Sequence, residues 1–452
     1  MNAPESGAAD AGHRTLFGHP KGLYYLAFTE AWERFSFYGM TALVVLYMVN
    51  QLLLPGHAGH IAGFAGFRAA MESLFGPLST QALASEIYGL YSGFVYFTPL
   101  FGGLIADRWI GQRNAVVIGA LSMCAGHLAM AFDQSFLLAL LLLVIGSGLL
   151  KGNISAQVGA LYPPDDEAQR TRGFLLFSTG INFGAVAGPL LCGLLAQVYG
   201  WHYGFGAAAI FMLLGLATYL YGFRYLPARV ARGDRDTTAL TAAEWRIVGV
   251  LIIVMIITIL PSIACNQIYN VMPVWIQEHV TPSVGSFRIP IPWYQSLYGL
   301  GSILSVPLLF WIWRRQSTRG REPHDIAKIG IGAWLAAASN LILVAAIATT
   351  GGAPIHPVWP LLYCLGLSIA FLYYWPTLLA LVSMAASAKI NSTMMGLAFM
   401  SLFVANNLIG WIGSFYERLG PLQFWTLHAM IAAAGGFLVM VFGRHLDRML
   451  RG

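Results

Sequence analysis

The chain has 452 residues, of which 57% are hydrophobic and only 10% charged. This excludes a string of soluble domains, which would carry about a quarter charged residues. The formal charge of +6 does not point to nucleic acid, because the basic residues are scattered through short loops rather than gathered in one patch.

The opening stretch MNAPESGAADAGHRTLFGHP is polar and lacks the apolar core of a signal peptide, so residues 1–20 are expected to be a disordered cytoplasmic tail. Apolar segments of about 20 residues or more follow, long enough to cross a bilayer as helices. The first six run near Leu23 to Leu54, Ser85 to Ala106, Ala115 to Phe132, Phe136 to Tyr162, Phe174 to Tyr199 and Tyr203 to Phe223. Between the first two, Pro55 to Ala84 predicts a long outer loop with a short interfacial helix around Ile61 to Leu74. The charged segment YLPARVARGDRDTTALTAAEW reads as a solvent-exposed linker over residues 226–244. Six further spans lie near Ile247 to Val280, Pro292 to Trp313, Ile326 to Thr349, Pro357 to Ala386, Thr393 to Phe415 and Phe424 to Phe442. The expected fold class is an all-α membrane protein of twelve transmembrane helices, with six-helix bundles over residues 21–225 and 245–448.

Lysines and arginines set the orientation. With both termini inside, about 20 of the 25 fall on the cytoplasmic side, against Arg68, Arg288 and Arg418 outside, while Arg34 and Lys151 lie within spans. The expected location is therefore the cell (inner) membrane, with both ends cytoplasmic. TPLFGGLIADRWIGQR from Thr98 and VPLLFWIWRRQSTRGR from Val306 place a proline and then a basic loop at matching offsets. Two parallel repeats of six helices suit a rocking carrier with its site near mid-membrane.

An ionisable side chain at the bilayer centre costs about 2.5 to 3.5 kcal/mol on insertion scales, so each needs a reason. Glu30, Glu33 and Arg34 lie well inside the first span and Lys151 inside the fourth. Glu30 and Arg34 are spaced i, i+4 and share a helix face with Tyr38, while Glu33 sits about 100° round from Arg34. If Lys151 faces the first helix, these groups make a formally neutral cluster. Protonating either glutamate would leave one positive charge in a low-dielectric hollow and favour a substrate carboxylate. The competing reading is a buried ion-pair network that only fixes packing; for Lys151 alone, snorkelling toward the interface is the alternative.

Other candidates are less sharp. Asn182 lies in GINFGAVAG, where Gly180, Gly184 and Gly188 form a smooth stripe for helix contact; its amide reads as a substrate ligand or an interhelical bond. Tyr96 reads either as lining a cavity or as buried in an interface. His57 and His60 form an HxxH pair without a third ligand and read as loop histidines rather than a metal site, and His127 and His428 are expected to make interhelical hydrogen bonds. Cys124, Cys192, Cys265 and Cys364 are read as inert core residues. No phosphate loop, HExxH or GxSxG is present, so neither a membrane-embedded enzyme nor a receptor with a soluble output domain is favoured over a carrier.

The stretch TEAWERFSFYG, Thr29 to Gly39, resembles the ExxERFxxYG first-helix motif of the proton-dependent oligopeptide transporter family of the major facilitator superfamily. GGLIADRWIGQR, LLKGNIS, FSTGINFGA, YQSL and STMMGLAFM extend the likeness from about His19 onward. The resemblance implies a symporter that imports di- and tripeptides by alternating access, as a monomer, with the proton as coupling ion and no other cofactor. It implies proton coupling through Glu30, Glu33 and Arg34, carboxylate binding by Arg34 and Lys151, and a pocket lined by Tyr38, Tyr96 and Asn182. Thr41 and Asn266 stand where the family pairs an arginine with a glutamate as an outer gate, Phe371 where it has a tenth-helix glutamate, Tyr298 where it has asparagine, and Ala398 where it has tryptophan. Asn266 and Tyr298 join Asn182 as weak acceptors for a substrate ammonium. The remaining alternative is a carrier of the same fold for another small organic anion.

Overall fold

The computed structural model describes residues 15–163, 166–227, 239–387 and 389–451. Most of the expected tail, residues 1–14, and the middle of the expected linker, residues 228–238, lie outside the described residues. Residues 15–20, expected as tail, instead form a tight hairpin, β1 Thr15–Leu16 with β2 His19–Pro20.

The helices are α1 Lys21–Tyr47, α2 Phe64–Phe75, α3 Thr80–Ile105, α4 Gln112–Ala129, α5 Phe136–Ala160, α6 Glu167–Tyr199, α7 Trp201–Gly222, α8 Ala242–Asn266, α9 Val271–His279, α10 Trp293–Ser317, α11 Asp325–Thr350, α12 Val358–Ala385, α13 Asn391–Gly413 and α14 Tyr416–Arg451. Among the described residues, 11 helices are long and apolar enough to cross a membrane. The third predicted span is α4, of 18 residues, and the expected interfacial helix is α2. Side chains such as Leu175, Ile210, Ile256 and Met440 are more than half exposed, as a surface facing lipid tails requires.

Two spans differ from expectation. The seventh is not one helix: α8 stops at Asn266, a 3-10 turn covers Gln267–Tyr269, and α9 starts afresh after Asn270, whose φ of -109° and ψ of -87° break the helix. Pro273 falls in the first turn of α9, where its missing N–H costs nothing. The twelfth is longer than its apolar core, because the helix runs on through charged residues that are themselves good helix formers; it bends at Gly420, φ 72°, just before Pro421.

The chain packs as two compact units, one of Met1–Met40 with Thr98–Gly233 and the other of Thr41–Phe97 with Asp234–Gly452. The expected bundles group helices by chain order, whereas these units divide α1 and α3 along their lengths.

In the first unit small residues bring backbones together. A Cβ on Gly184 would stand 2.5 Å from both Arg34 Cβ and the Phe35 nitrogen, and one on Gly180 would stand 2.6 Å from the Ala27 oxygen. The stripe foreseen on α6 is thus packed on α1, beside its charged residues. Another face of α1 places Trp32 and Phe35 on Phe211 of α7, with ring centroids 5.1 and 4.1 Å apart. Gly184→Ala is expected to cost about 1–3 kcal/mol through overpacking and to lower the melting temperature in detergent. Gly206→Ala, where a Cβ would meet nothing within 4 Å, should leave it unchanged or raise it.

In the second unit α3 packs on α13 with almost no side chain between them: a Cβ on Gly89 would lie 2.6 Å from Gly410 Cα. Uncharged amides finish this contact. Gln81 Nε2 donates to the Gly413 oxygen at 3.2 Å, and Gln267 Nε2 and Asn270 Nδ2 both donate to the Ile409 oxygen at 3.2 Å. Beyond α1, a π-helical turn Met48–Leu52 carries Asn50, which exchanges two hydrogen bonds with Gln277 of α9, at 2.8 and 2.7 Å.

Candidate functional site

The first unit brings the charged residues together. On α1, Arg34 Nε donates to Glu30 Oε1 at 2.8 Å and lies 2.7 Å from Glu33 Oε2. All three are buried, Glu33 completely. Neither oxygen of Glu33 accepts a hydrogen bond, and the second oxygen of Glu30 accepts none. Arg34 is thus committed to Glu30 by geometry, while Glu33 is held by charge alone. Tyr38, one turn further on, lies within Coulombic range of Arg34.

Lys151 comes from α5 and faces this cluster. Its Nζ lies 4.5 Å from the centre of the Phe37 ring, and Arg34 Cζ lies 5.6 Å from the same centre. The lysine is within Coulombic range of Arg34, Glu33 and Glu30. One aromatic ring thus receives both cations, a contact worth from about 0.5 to about 2 kcal/mol depending on desolvation. Phe37 has no signature in the sequence, being one apolar residue in an apolar helix. Asn182 is exposed. At about 100° per residue it lies nearly opposite the glycine stripe, so its amide is not engaged with α1.

The remaining candidates belong to the second unit. Asn266 Nδ2 turns back to the Ser262 oxygen at 3.0 Å, which occupies one of its two N–H donors and leaves the other and the carbonyl oxygen to offer. Tyr298 packs edge-on against Tyr269 and Phe371, each with ring centroids 6.2 Å away. Two positions that depart from the ExxERFxxYG family's pattern are therefore in contact with each other. Tyr96 is half-buried and within Coulombic range of Tyr374. Thr41 is buried and its hydroxyl has no hydrogen-bond partner.

The expected histidine bonds are not made. Neither ring nitrogen of buried His127 has a partner, and His428 Nδ1 bonds only the Phe424 oxygen of its own helix, at 2.8 Å. The His428 ring packs on Phe424 and Trp425 of its own helix, with ring centroids 4.4 and 6.0 Å away. The four cysteines are free and buried, and no cluster suited to a metal ion occurs among the described residues.

Residues 35–410 match the Major Facilitator Superfamily. The chain is 31% identical to the peptide transporter YePEPT of Yersinia enterocolitica, over 89% of each protein. It belongs to the proton-dependent oligopeptide transporter family of that superfamily. A di-/tripeptide transporter of Lactococcus lactis subsp. cremoris is 27% identical over 97% of this chain and 98% of its own. The crystal structure of a peptide transporter POT in complex with sulfate superposes with a TM-score of 0.85, at 25% identity and over 97% of both chains. This member of the oligopeptide transporter family is thus a multi-pass membrane protein with the major facilitator fold, and Glu30, Glu33 and Arg34 of its ExxERFxxYG motif meet in one buried cluster.

Proposed function

We propose that this transporter is a proton-coupled symporter that imports di- and tripeptides by alternating access. The observation that carries the reading is the buried Glu30–Glu33–Arg34 cluster with Lys151 brought beside it, both cations lying over the Phe37 ring on apolar spans. Glu33 takes the proton, since its carboxyl is buried without a donor. Once it is neutral, Arg34 and Lys151 outweigh Glu30, and the surplus positive charge draws a peptide carboxylate into a site of low dielectric. Glu30 keeps Arg34 oriented meanwhile. Tyr38, Tyr96 and Asn182 line the pocket, and Asn266 and Tyr298 contribute acceptors toward the substrate's amino end.

The six-helix bundles over residues 21–225 and 245–448 rock about this site. Both termini are cytoplasmic in the cell (inner) membrane, following the distribution of lysine and arginine. The protein works as a monomer, with protons, a peptide and the bilayer as its only partners.

A second reading, a carrier of another small organic anion, is favoured by one observation. Phe371 and Tyr298 present aromatic surface where a peptide ammonium would want a carboxylate. Uptake into sealed proteoliposomes under an imposed pH gradient tests both. Accumulation of a free dipeptide, competed by unlabelled dipeptide and not by its N-acetylated form, is the expected result. Equal competition by the acetylated peptide overturns the peptide reading in favour of the second, and no accumulation of either overturns carriage of both classes.

A further inference from the structure

The α3–α13 contact contains one ionisable group that the coupling site does not use. Glu86 is one turn before Gly89, at the level where the two backbones meet, and only 4% of its surface is exposed. A Cβ on Gly410 would stand 3.3 Å from Glu86 Cα. Its carboxyl oxygen Oε1 is buried with no hydrogen-bond partner, and the nearby Ser414 at the end of α13 gives its own hydroxyl proton to the Trp411 oxygen at 2.7 Å.

The surrounding elements bring this carboxyl no charge. On α3 its neighbours Gln81 and Ser85 are neutral and bonded to each other at 2.9 Å. From α13 it meets Ser414, and from the 3-10 turn and its end come the amides of Gln267 and Asn270, both turned to the Ile409 oxygen. The titratable groups beyond them are Glu278 and His279 on α9 and Tyr416, Glu417 and Arg418 on α14. Glu278 is taken by Tyr416 Oη at 2.9 Å and lies 3.7 Å from His279, and Arg418 lies over Phe415. Among the described residues none makes an ion pair with Glu86.

An ionised carboxylate walled in this way has lost its water and gained no cation, whereas a protonated one can donate to an uncharged neighbour. We propose that Glu86 is a proton-binding site of the α3–α13 seal, occupied while the seal is closed and emptied only when it opens to water. By linkage the proton and the closed seal stabilise each other. The inference rests on the alternating-access and orientation reading above, which places this seal on the outer side, but not on the identity of the substrate. External acid then favours closure of the outer side, through a group separate from the Glu33 cluster.

Asn407 of α13 supplies a reporter, since its amide lies against Gly93 in the same α3–α13 contact, on the other side of Gly89 from Glu86. Asn407→Cys is introduced with and without Glu86→Gln, and a membrane-impermeant maleimide is added outside right-side-out vesicles across a range of external pH. The native cysteines are buried and give the background. The ratio of labelling rates between the two proteins cancels the thiol's own titration. It is expected to rise with pH by up to about tenfold per unit, the limit for one proton, while Glu86→Gln stays closed. A ratio flat across pH overturns the proposal even if peptide uptake is normal. Labelling at no pH in either protein, where uptake also fails, overturns alternating access and with it this inference. If Glu86→Gln does not reach the membrane, Ser414→Ala in the Asn407→Cys background decides. Loss of the hydroxyl should move the midpoint of the pH profile, and an unmoved midpoint overturns the role of Glu86.

Discussion

Glu33→Gln is expected to abolish uphill accumulation of peptide under a pH gradient while leaving counterflow exchange largely intact. The substitution keeps the shape of a completely buried side chain and removes the group that can gain or lose a proton. Each pH unit of gradient is worth about 1.4 kcal/mol per proton, or about tenfold in substrate concentration. A carrier with no proton to move should therefore fall to an accumulation ratio of about one. Exchange at zero gradient needs only binding and movement, and Arg34 keeps its hydrogen bond to Glu30 at 2.8 Å in the variant. Accumulation and counterflow measured in the same proteoliposomes separate the two effects. Equal loss of both would reduce Glu33 to a packing element.

Lys151→Ala is expected to discriminate between substrates rather than to weaken all of them. A charged hydrogen bond is worth about 1.5–3 kcal/mol, so free-acid peptides should lose about 10- to 150-fold in apparent affinity. Peptides amidated at the carboxyl end should change little. The geometry behind this is the ammonium held 4.5 Å from the Phe37 ring centre and within Coulombic range of Arg34, Glu33 and Glu30, where a substrate carboxylate would meet positive charge. Competition against a labelled dipeptide by matched acid and amide pairs gives the measurement. A uniform loss across both series would mean that Lys151 supports the helices and does not bind.

The charged cluster was legible in the sequence because ionisable residues in apolar spans are conspicuous and helical spacing fixes which of them share a face. What spacing could not supply was the direction of Lys151, which depends on how α5 is rotated against α1. Phe37 went unseen for the same reason: only a cation on each side of the tertiary contact distinguishes it from other buried aromatics. The apolar spans were recoverable from hydropathy, but the break at Gln267–Asn270 was not. Gln267 and Asn270 flank the break and bond the Ile409 carbonyl of another chain segment, a tertiary contact that hydropathy does not show. The amides of Gln81, Gln267 and Asn270 that bond α13 carry no charge and follow no spacing rule, so the absence of an ion pair at positions 41 and 266 could be read from sequence while these bonds could not. The histidine expectation failed because burial of His127 leaves it no second helix donor within reach.

The edge-on contact between Tyr298 and Phe371 bears on how this chain can change with time. Restoring glutamate at 371 alone would set a carboxylate against two tyrosine rings, and restoring asparagine at 298 alone would open a hole beside a phenylalanine. Each single substitution is unfavourable although the double one need not be, so the two positions are coupled and constrain each other by mutual fit.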